Sequence, residues 1–299
     1  MKRIAFLGPE GTVSEMSTRY FFAGEPHEFI SYRLINDVFA ATASGETDLS
    51  VIPIENTIDG SVSLHLDLLV HEVDLPIQAE WIYPSVQNLI GFQNPTGLNE
   101  WTHDSDEKFS HIHKIVSINV AIAQCRHFLK EHLPNVEFEY VSSTAEGVSI
   151  VKQKADPGIA AIGHALAAEK YGLELLAEDI TDHHNNFTRF ILIGNHPPAL
   201  KETGKRKTTV LVTLPEDYPG ALHQVLSAFQ WRRINLSKIE SRPTKKKLGN
   251  YYFYIDIEAS LNSVLLPAAI SEIEAIGCQV RILGSYPCYT YEEKVDPTG

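Results

Sequence analysis

Three polar segments in the first two thirds of the chain carry side chains that could do chemistry. Asn186-Phe187-Thr188-Arg189-Phe190 opens an apolar strand. Alternation with a period of two puts Thr188 and Phe190 on one face and Phe187 and Arg189 on the other. Thr and Phe are ordinary strand formers, so pattern alone reads as a plain β-strand. Pro53-Ile54-Glu55-Asn56-Thr57-Ile58-Asp59-Gly60-Ser61 places polar groups beyond the C-terminal end of another strand. Open α/β sheets bind ligands there, although Asn, Asp and Gly equally favour turns. Gly8-Pro9-Glu10-Gly11-Thr12-Val13-Ser14 joins a strand to a helix start, where backbone N–H groups can hold an anion. It has no Walker lysine and no GxGxxG spacing, so alone it reads as a capped helix. The thirteen histidines include His111-x-His113 and His183-His184 but form no HExxH or matched cysteine set, and a GxSxG elbow is missing. Neither a metal site nor a serine hydrolase is expected.

These segments must be positioned by alternating strands and helices. Residues 4–7 and 49–54 read as buried strands. Thr12-Val13-Ser14-Glu15 fits a capping box, so a helix should begin there. A helix is expected over 62–70 after the Asp59-Gly60 turn, and others over 117–133, 144–154 and 165–171, with strands over 159–162 and 187–194. This is the α/β pattern. Residues 195–207 change character: Pro197-Pro198 precedes Lys201, Lys205, Arg206 and Lys207, which marks a linker whose basic cluster reads as a solvated connector. Beyond it come a strand (208–214), a helix (219–231), two strands (234–241 and 251–258), a helix (264–276) and a strand (278–283). That βαββαβ order is ferredoxin-like. Residues 292–299 read as a frayed tail. Within the last unit, Gly220-Ala221-Leu222-His223 and Glu240-Ser241-Arg242-Pro243 are punctuation by pattern alone, though Gly220 would admit a close ligand or backbone.

The 299 residues, 43% hydrophobic and 21% charged, suffice for two or three folded units. A net charge of −13 argues against nucleic acid or an anionic membrane as partner. An anionic substrate would need local donors. Three scattered cysteines give no disulfide framework, and no stretch approaches the ~20 apolar residues of a membrane span, so a cytoplasmic location is expected.

Together the segments resemble the prephenate dehydratase family. Its Gly-Pro-x-Gly-Thr-x-Ser loop matches 8–14, its Pro-Ile-Glu-Asn-Ser/Thr segment 53–57, and its Thr-Arg-Phe segment 188–190. An ACT-type regulatory domain follows, with Gly-Ala-Leu at 220–222 and Glu-Ser-Arg-Pro at 240–243. Two departures stand out: Ser117-Ile118-Asn119-Val120 where Ser-His-Pro-Gln is frequent, and His164 where a smaller polar residue is common.

The resemblance implies a two-lobed unit like a type II periplasmic binding protein over 1–196, a linker over 197–207 and an ACT domain over 208–291. It implies decarboxylating dehydration of prephenate to phenylpyruvate, carbon dioxide and water, with no cofactor and no metal. Thr188 is then the candidate proton donor to the leaving hydroxyl. Thr12, Ser14, Asn56, Thr57, Ser61 and Gln124 are candidate donors to the substrate carboxylates, and Phe190 could exclude water. Arg189 is a candidate carboxylate partner, but alternation turns it from Thr188 and a salt bridge is its favoured role; Glu55 is expected to be structural. L-Phenylalanine is the implied inhibitor, bound between two ACT units near Gly220, Ala221, Leu222, Asn235, Leu236, Glu240 and Ser241, in a homodimer or homotetramer. Arogenate dehydratase and a non-catalytic amino-acid sensor are the rival readings.

Overall fold

The computed structural model describes residues 1–93, 108–183, 185–196, 198–200, 203–216, 218–244 and 251–291. In chain order these form β1 (Arg3–Leu7), α1 (Val13–Phe21), β2 (Glu28–Tyr32), α2 (Ile35–Ala43), β3 (Leu49–Asn56), β4 (Gly60–Ser61), α3 (Ser63–His71), β5 (Ile77–Pro84) and β6 (Asn88–Gly91). Next come β7 (Lys114–Ser117), α4 (Asn119–Ala123), α5 (Arg126–His132), β8 (Glu137–Tyr140), α6 (Thr144–Lys154), β9 (Ile159–Gly163), α7 (Ala165–Tyr171), β10 (Glu174–Ala177) and β11 (Phe187–Ile193). The last third holds β12 (Arg206–Thr213), α8 (Ala221–Gln230), β13 (Leu236–Pro243), β14 (Tyr251–Ile257), α9 (Leu265–Ala275) and β15 (Gln279–Tyr289). Two compact units result: Met1–His71 with Ile82–Phe190, and Glu72–Trp81 with Ile191–Gly299.

The first unit has two α/β lobes. In one, β1 runs parallel between β2 and β3, and β11 lies on the far side of β3. The other is a five-stranded sheet in the order β10-β6-β9-β7-β8. Strand alternation gives that sheet two cores. Ile115 packs with Ile122, Cys125, Leu129 and Leu133 on one face, while its neighbour Val116 packs with Val148, Val151 and Ala167 on the other. The chain crosses between the lobes twice, through residues 85–87 and 178–186, which is the type II periplasmic-binding-protein arrangement. The crossings are tied together: Ser85 N–H donates to the Asn186 carbonyl (2.8 Å), Ile180 N–H to the Gln87 carbonyl (2.9 Å) and Gln87 N–H to Thr181 Oγ1 (3.1 Å).

The second unit contains the ferredoxin-like βαββαβ sheet, ordered β13-β14-β12-β15 and antiparallel throughout. Helices α8 and α9 cover one face, closing a core of Val210, Val212, Val225, Phe229, Ile255, Leu266 and Ile273. Residues 72–81 belong here because β5 adds to β15 in parallel, Cys288 opposite Glu80 and Tyr289 opposite Trp81.

Several expectations need correction. The helix expected over 117–133 is broken: Ser117 ends β7, donating its hydroxyl to the Ile162 carbonyl (2.7 Å), and α4 stops before Gln124. The break has a distant cause. The Gln124 carbonyl accepts the Asp182 N–H (2.7 Å), and Asp182 Oδ1 accepts the His127 N–H (3.0 Å), serving the start of α5 as a cap would. At α1 the helix begins as expected but the reciprocal box is not made: Thr12 Oγ1 donates to the Leu7 carbonyl (3.2 Å), and Glu15 accepts the Gly11 N–H (2.7 Å). The basic cluster before 208 is not all solvated connector. Arg206 and Lys207 begin β12, and Lys207 Nζ lies 2.7 Å from the buried Glu80 carboxylate. The final strand reaches Tyr289 because its end pairs with β5, a partner about two hundred residues earlier. Helix α8 starts two residues later than expected because Gly220, at φ +92°, sits in the turn before it. Pro197, Lys201, His184 and the expected tail lie outside the described residues.

Gly11 shows what holds the 8–14 loop against the second lobe. Its φ is +88°, and a Cβ there would come within 3.0 Å of Ala167 Cβ. Gly11→Ala is expected to destabilise the fold by about 1–3 kcal/mol from backbone strain alone, read as a lower urea midpoint with an unchanged slope.

Candidate active site

The three segments singled out in the sequence lie at the C-terminal ends of adjacent parallel strands or at the crossing beside them. Asn56 is the last residue of β3, and Thr188 the second of β11. Asn56 Oδ1 accepts two backbone N–H groups, from Ile58 (2.9 Å) and Asp59 (3.1 Å), closing an Asx turn. Its Nδ2 therefore faces the other way, donating to Asn186 Oδ1 (2.9 Å) and Thr188 Oγ1 (3.1 Å). Asn186 Nδ2 donates in turn to the Ser85 carbonyl (3.2 Å) and to Gln124 Oε1 (3.1 Å). Thr188, Gln124 and Asn186 are all buried. One amide network thus joins β3 of the first lobe, the crossing, and the end of α4 in the second.

Thr57 is brought close but is occupied. Its hydroxyl donates to the Asn185 carbonyl (2.7 Å) and accepts the Phe187 N–H (3.0 Å), which makes it a strut under the Thr188 segment rather than a free donor. Arg189 points away from Thr188, as alternation requires, and its guanidinium pairs with Glu55 at 3.1 Å. That contact gives Glu55 a structural partner. Phe190 is fully buried, so it packs beneath the site and does not line it. Ser61 pairs with Glu55 across the β3–β4 turn.

At the start of α1, the Thr12 side chain caps no helix N–H, leaving the first turn open to an anion. The Ser14 hydroxyl is buried at the same place. Glu15 anchors this loop to the second lobe. Its carboxylate accepts from Gly11 N–H (2.7 Å), Arg19 Nε (2.8 Å) and Lys170 Nζ (2.7 Å), and Lys170 also reaches Glu10 (2.8 Å). Burial alone would raise the Glu15 pKa; the hydrogen bonds from Lys170, Gly11 and Arg19 override it and leave it lowered. His164 is fully enclosed at the start of α7, donating Nδ1–H to the Val86 carbonyl (2.8 Å), and burial lowers its pKa, so the imidazole is neutral. Among the described residues no group of three His, Cys, Asp or Glu could hold a metal, and no helix is long and apolar enough to cross a membrane.

A family model of prephenate dehydratase matches residues 4–198, and one of the ACT domain matches 208–276. The prephenate dehydratase of Bacillus subtilis (strain 168) is 41% identical over 293 residues, covering 96% of this chain and 99% of that one. The chain belongs to the prephenate dehydratase family. A solved prephenate dehydratase from Arthrobacter aurescens, in complex with L-Phe, is 36% identical with a TM-score of 0.82 over 95% of this chain and 89% of that one. A solved protein described as a quorum quenching acylase is 26% identical, with a TM-score of 0.81 over 96% and 98%. The fold therefore carries more than one described activity, and the chemistry must be argued from the site.

Within one ACT unit the expected effector residues do not form a single cluster. Gly220, Ala221 and Leu222 start α8, whereas Asn235 and Leu236 follow its other end, a 10-residue helix away, or roughly 15 Å. Asn235 Nδ2 is bound to Glu258 (2.7 Å). Glu240 lies between Lys238 (3.4 Å) and Arg242 (3.8 Å), with Ser241 exposed beside it on β13.

Two dehydratase residues escaped the sequence reading. Asn186 had a signal, being a polar residue two before Thr188. Lys170 had none, since nothing local links it to Glu15. Lys170→Met is expected to destabilise the protein by about 1–3 kcal/mol at neutral pH, because a buried carboxylate loses a donor. The Glu15 pKa is depressed in the folded state, so its contribution is present above the ordinary Glu value of about 4.3 and lost as pH falls through the lowered value. The gap between the two proteins in urea unfolding should therefore shrink as pH falls below the ordinary Glu value; a gap independent of pH contradicts the assignment.

Proposed function

We propose that this chain is a cytoplasmic prephenate dehydratase inhibited by L-phenylalanine, with Thr188 as proton donor. The observation that carries the reading is the hydrogen bond from Asn56 Nδ2 to Thr188 Oγ1. It occupies an acceptor site on the hydroxyl and leaves the O–H free to donate. Among the described residues no imidazole or carboxylate is seen to accept that proton, so Thr188 is set up as a hydrogen-bond donor and not as an activated nucleophile of the acylase type.

Prephenate carries a ring carboxylate and, at the opposite ring carbon, a hydroxyl. Breaking the C–carboxylate bond releases carbon dioxide and sends its electron pair into the ring. Aromatisation expels the hydroxyl with its C–O pair, and a proton makes it water. Thr188 supplies the hydrogen bond or proton at that oxygen, and solvent restores it. An alcohol is a weak acid, so aromatisation provides most of the driving force and Thr188 orients and partly protonates the leaving group. The backbone N–H groups of the open first turn of α1, the Ser14 hydroxyl and the amide of Gln124 suit the two carboxylates, whereas the Thr12 hydroxyl already donates to the Leu7 carbonyl. The reaction itself calls for no metal, nicotinamide or covalent intermediate.

The dehydratase unit is assigned to 1–196, the linker to 197–205, the ACT domain to 206–291 instead of 208–291 because Arg206 and Lys207 open β12, and a tail to 292–299. The effector site is assigned to a pair of ACT units in a homodimer or homotetramer. Asn235 and Leu236 lie at the opposite end of one unit from Gly220–Leu222, whereas β13 runs back to bring Glu240 and Ser241 level with the end of β12 that leads into the Gly220 turn, and a two-fold axis can pair such patches between units. Strand β13, which carries Leu236, Glu240 and Ser241, ends the sheet and leaves Ile239 exposed. The relative solved with L-Phe supports the choice of effector.

Purified protein given prephenate should form phenylpyruvate with kcat/KM well above that for arogenate; the reverse order makes it an arogenate dehydratase, and turnover of neither makes it a sensor. L-Phenylalanine should lower activity with a coupling of about 1–3 kcal/mol, or roughly 5- to 150-fold. Titration that changes neither activity nor thermal midpoint removes the effector assignment.

A further inference from the structure

We propose that Asn186 is a positioning residue that sets the donor polarity of the active site, so that Gln124 presents its NH2 group, and not its carbonyl, to an anionic substrate. The inference rests on the dehydratase reading for its substrate, though the relay behind it does not.

Amide side chains can turn over end for end, and what each presents is decided by its neighbours. Here the first member cannot turn. The Ile58 and Asp59 N–H groups both aim at one atom of Asn56, which must be oxygen. Asn56 Nδ2 then faces Asn186, whose nearer atom must be an acceptor. That choice leaves Asn186 Nδ2 with two protons and two acceptors, the Ser85 carbonyl and Gln124 Oε1. The Ser85 carbonyl reinforces it, because a backbone carbonyl can only accept. Gln124 must therefore show oxygen to Asn186 and direct Nε2 elsewhere. No described residue accepts from that Nε2. The same first member fixes Thr188 as acceptor from Asn56, which frees its O–H. A single Asx turn thus dictates two donors, one from each lobe, and Asn186 links them. Its burial at 3% exposure keeps water from substituting for either neighbour.

Asn186→Asp tests this with almost no change of shape. An ionised carboxylate at this position can only accept. It still serves Asn56 and gives up the hydrogen bond to the Ser85 carbonyl, and it forces Gln124 to turn over, donating its NH2 to the carboxylate and presenting Oε1 to the substrate. Loss of a charge-assisted hydrogen bond should raise KM for prephenate about ten- to a hundredfold, with a smaller effect on kcat. Lowering the pH protonates the new carboxyl, which can then donate to Gln124, so kcat/KM relative to wild type should recover toward acid. In a Gln124→Met background the Asn186→Asp effect on KM should largely vanish. An equal KM increase in that background means the new charge repels substrate directly, and the relay is wrong.

A ligand-free readout separates this from the dehydratase reading. In the wild type the Asn186 side-chain NH2 should be protected from hydrogen exchange and that of Gln124 unprotected; in Asn186→Asp the Gln124 NH2 should become protected. Unprotected Gln124 in the variant overturns the relay. Wild-type protein with the predicted exchange pattern and no turnover of prephenate instead overturns the substrate assignment alone.

Discussion

Two backbone N–H groups converge on one side-chain oxygen of Asn56, and the arrangement of the site depends on that contact. The turn after β3 aims the Ile58 and Asp59 amides at Oδ1, which fixes Nδ2 toward β11 and the crossing. Everything polar downstream inherits its direction from there. A threonine hydroxyl has one proton and can donate it to only one group, so a donor that occupies its oxygen determines what the proton is free to do. The turn is built from residues that favour turns for ordinary reasons, and it sets which side of the Thr188 oxygen is occupied.

The rest of the first unit keeps that geometry in place. The two crossings are stitched by backbone hydrogen bonds, Thr57 supports the Phe187 backbone from below, and Arg189 with Glu55 fixes the opposite face of the same strand pair. Across the lobes, Gly11 against Ala167 and Glu15 with Lys170 hold the 8–14 loop beside α7. These contacts concentrate where the C-terminal ends of β1 and β3 meet the start of β11, at the edge of the sheet where an open α/β fold leaves room for a ligand.

Much of this was legible in the chain, and the limits have physical causes. Helices α6 and α7 and the βαββαβ order of the second unit follow from local periodicity and turn residues, which sequence displays directly. The 117–133 segment misled because its helical pattern is real, while the break at Gln124 is imposed by Asp182, more than fifty residues away. β5's place beside β15 and Lys170's role at Glu15 are likewise non-local. At the site, alternation alone separated Thr188 from Arg189. It could not show that the Thr57 hydroxyl is already bound, that Phe190 is wholly buried, or that Asn186 joins Asn56 to Gln124. Hydrogen-bond direction depends on three-dimensional neighbours, and a motif names the residues without saying which atom each one shows.

The central claim is that the Thr188 hydroxyl, with Asn56 holding its oxygen, delivers a proton to the leaving group. It is tested most directly by comparing Thr188→Ser with Thr188→Val in phenylpyruvate formation from prephenate, after matching their thermal midpoints to wild type. Serine keeps the hydroxyl and should hold kcat within about tenfold, whereas valine keeps the shape without the donor and should lose about 10²–10⁴ in kcat, the range for a general acid. A valine variant that folds normally and turns over near the wild-type rate would contradict the account.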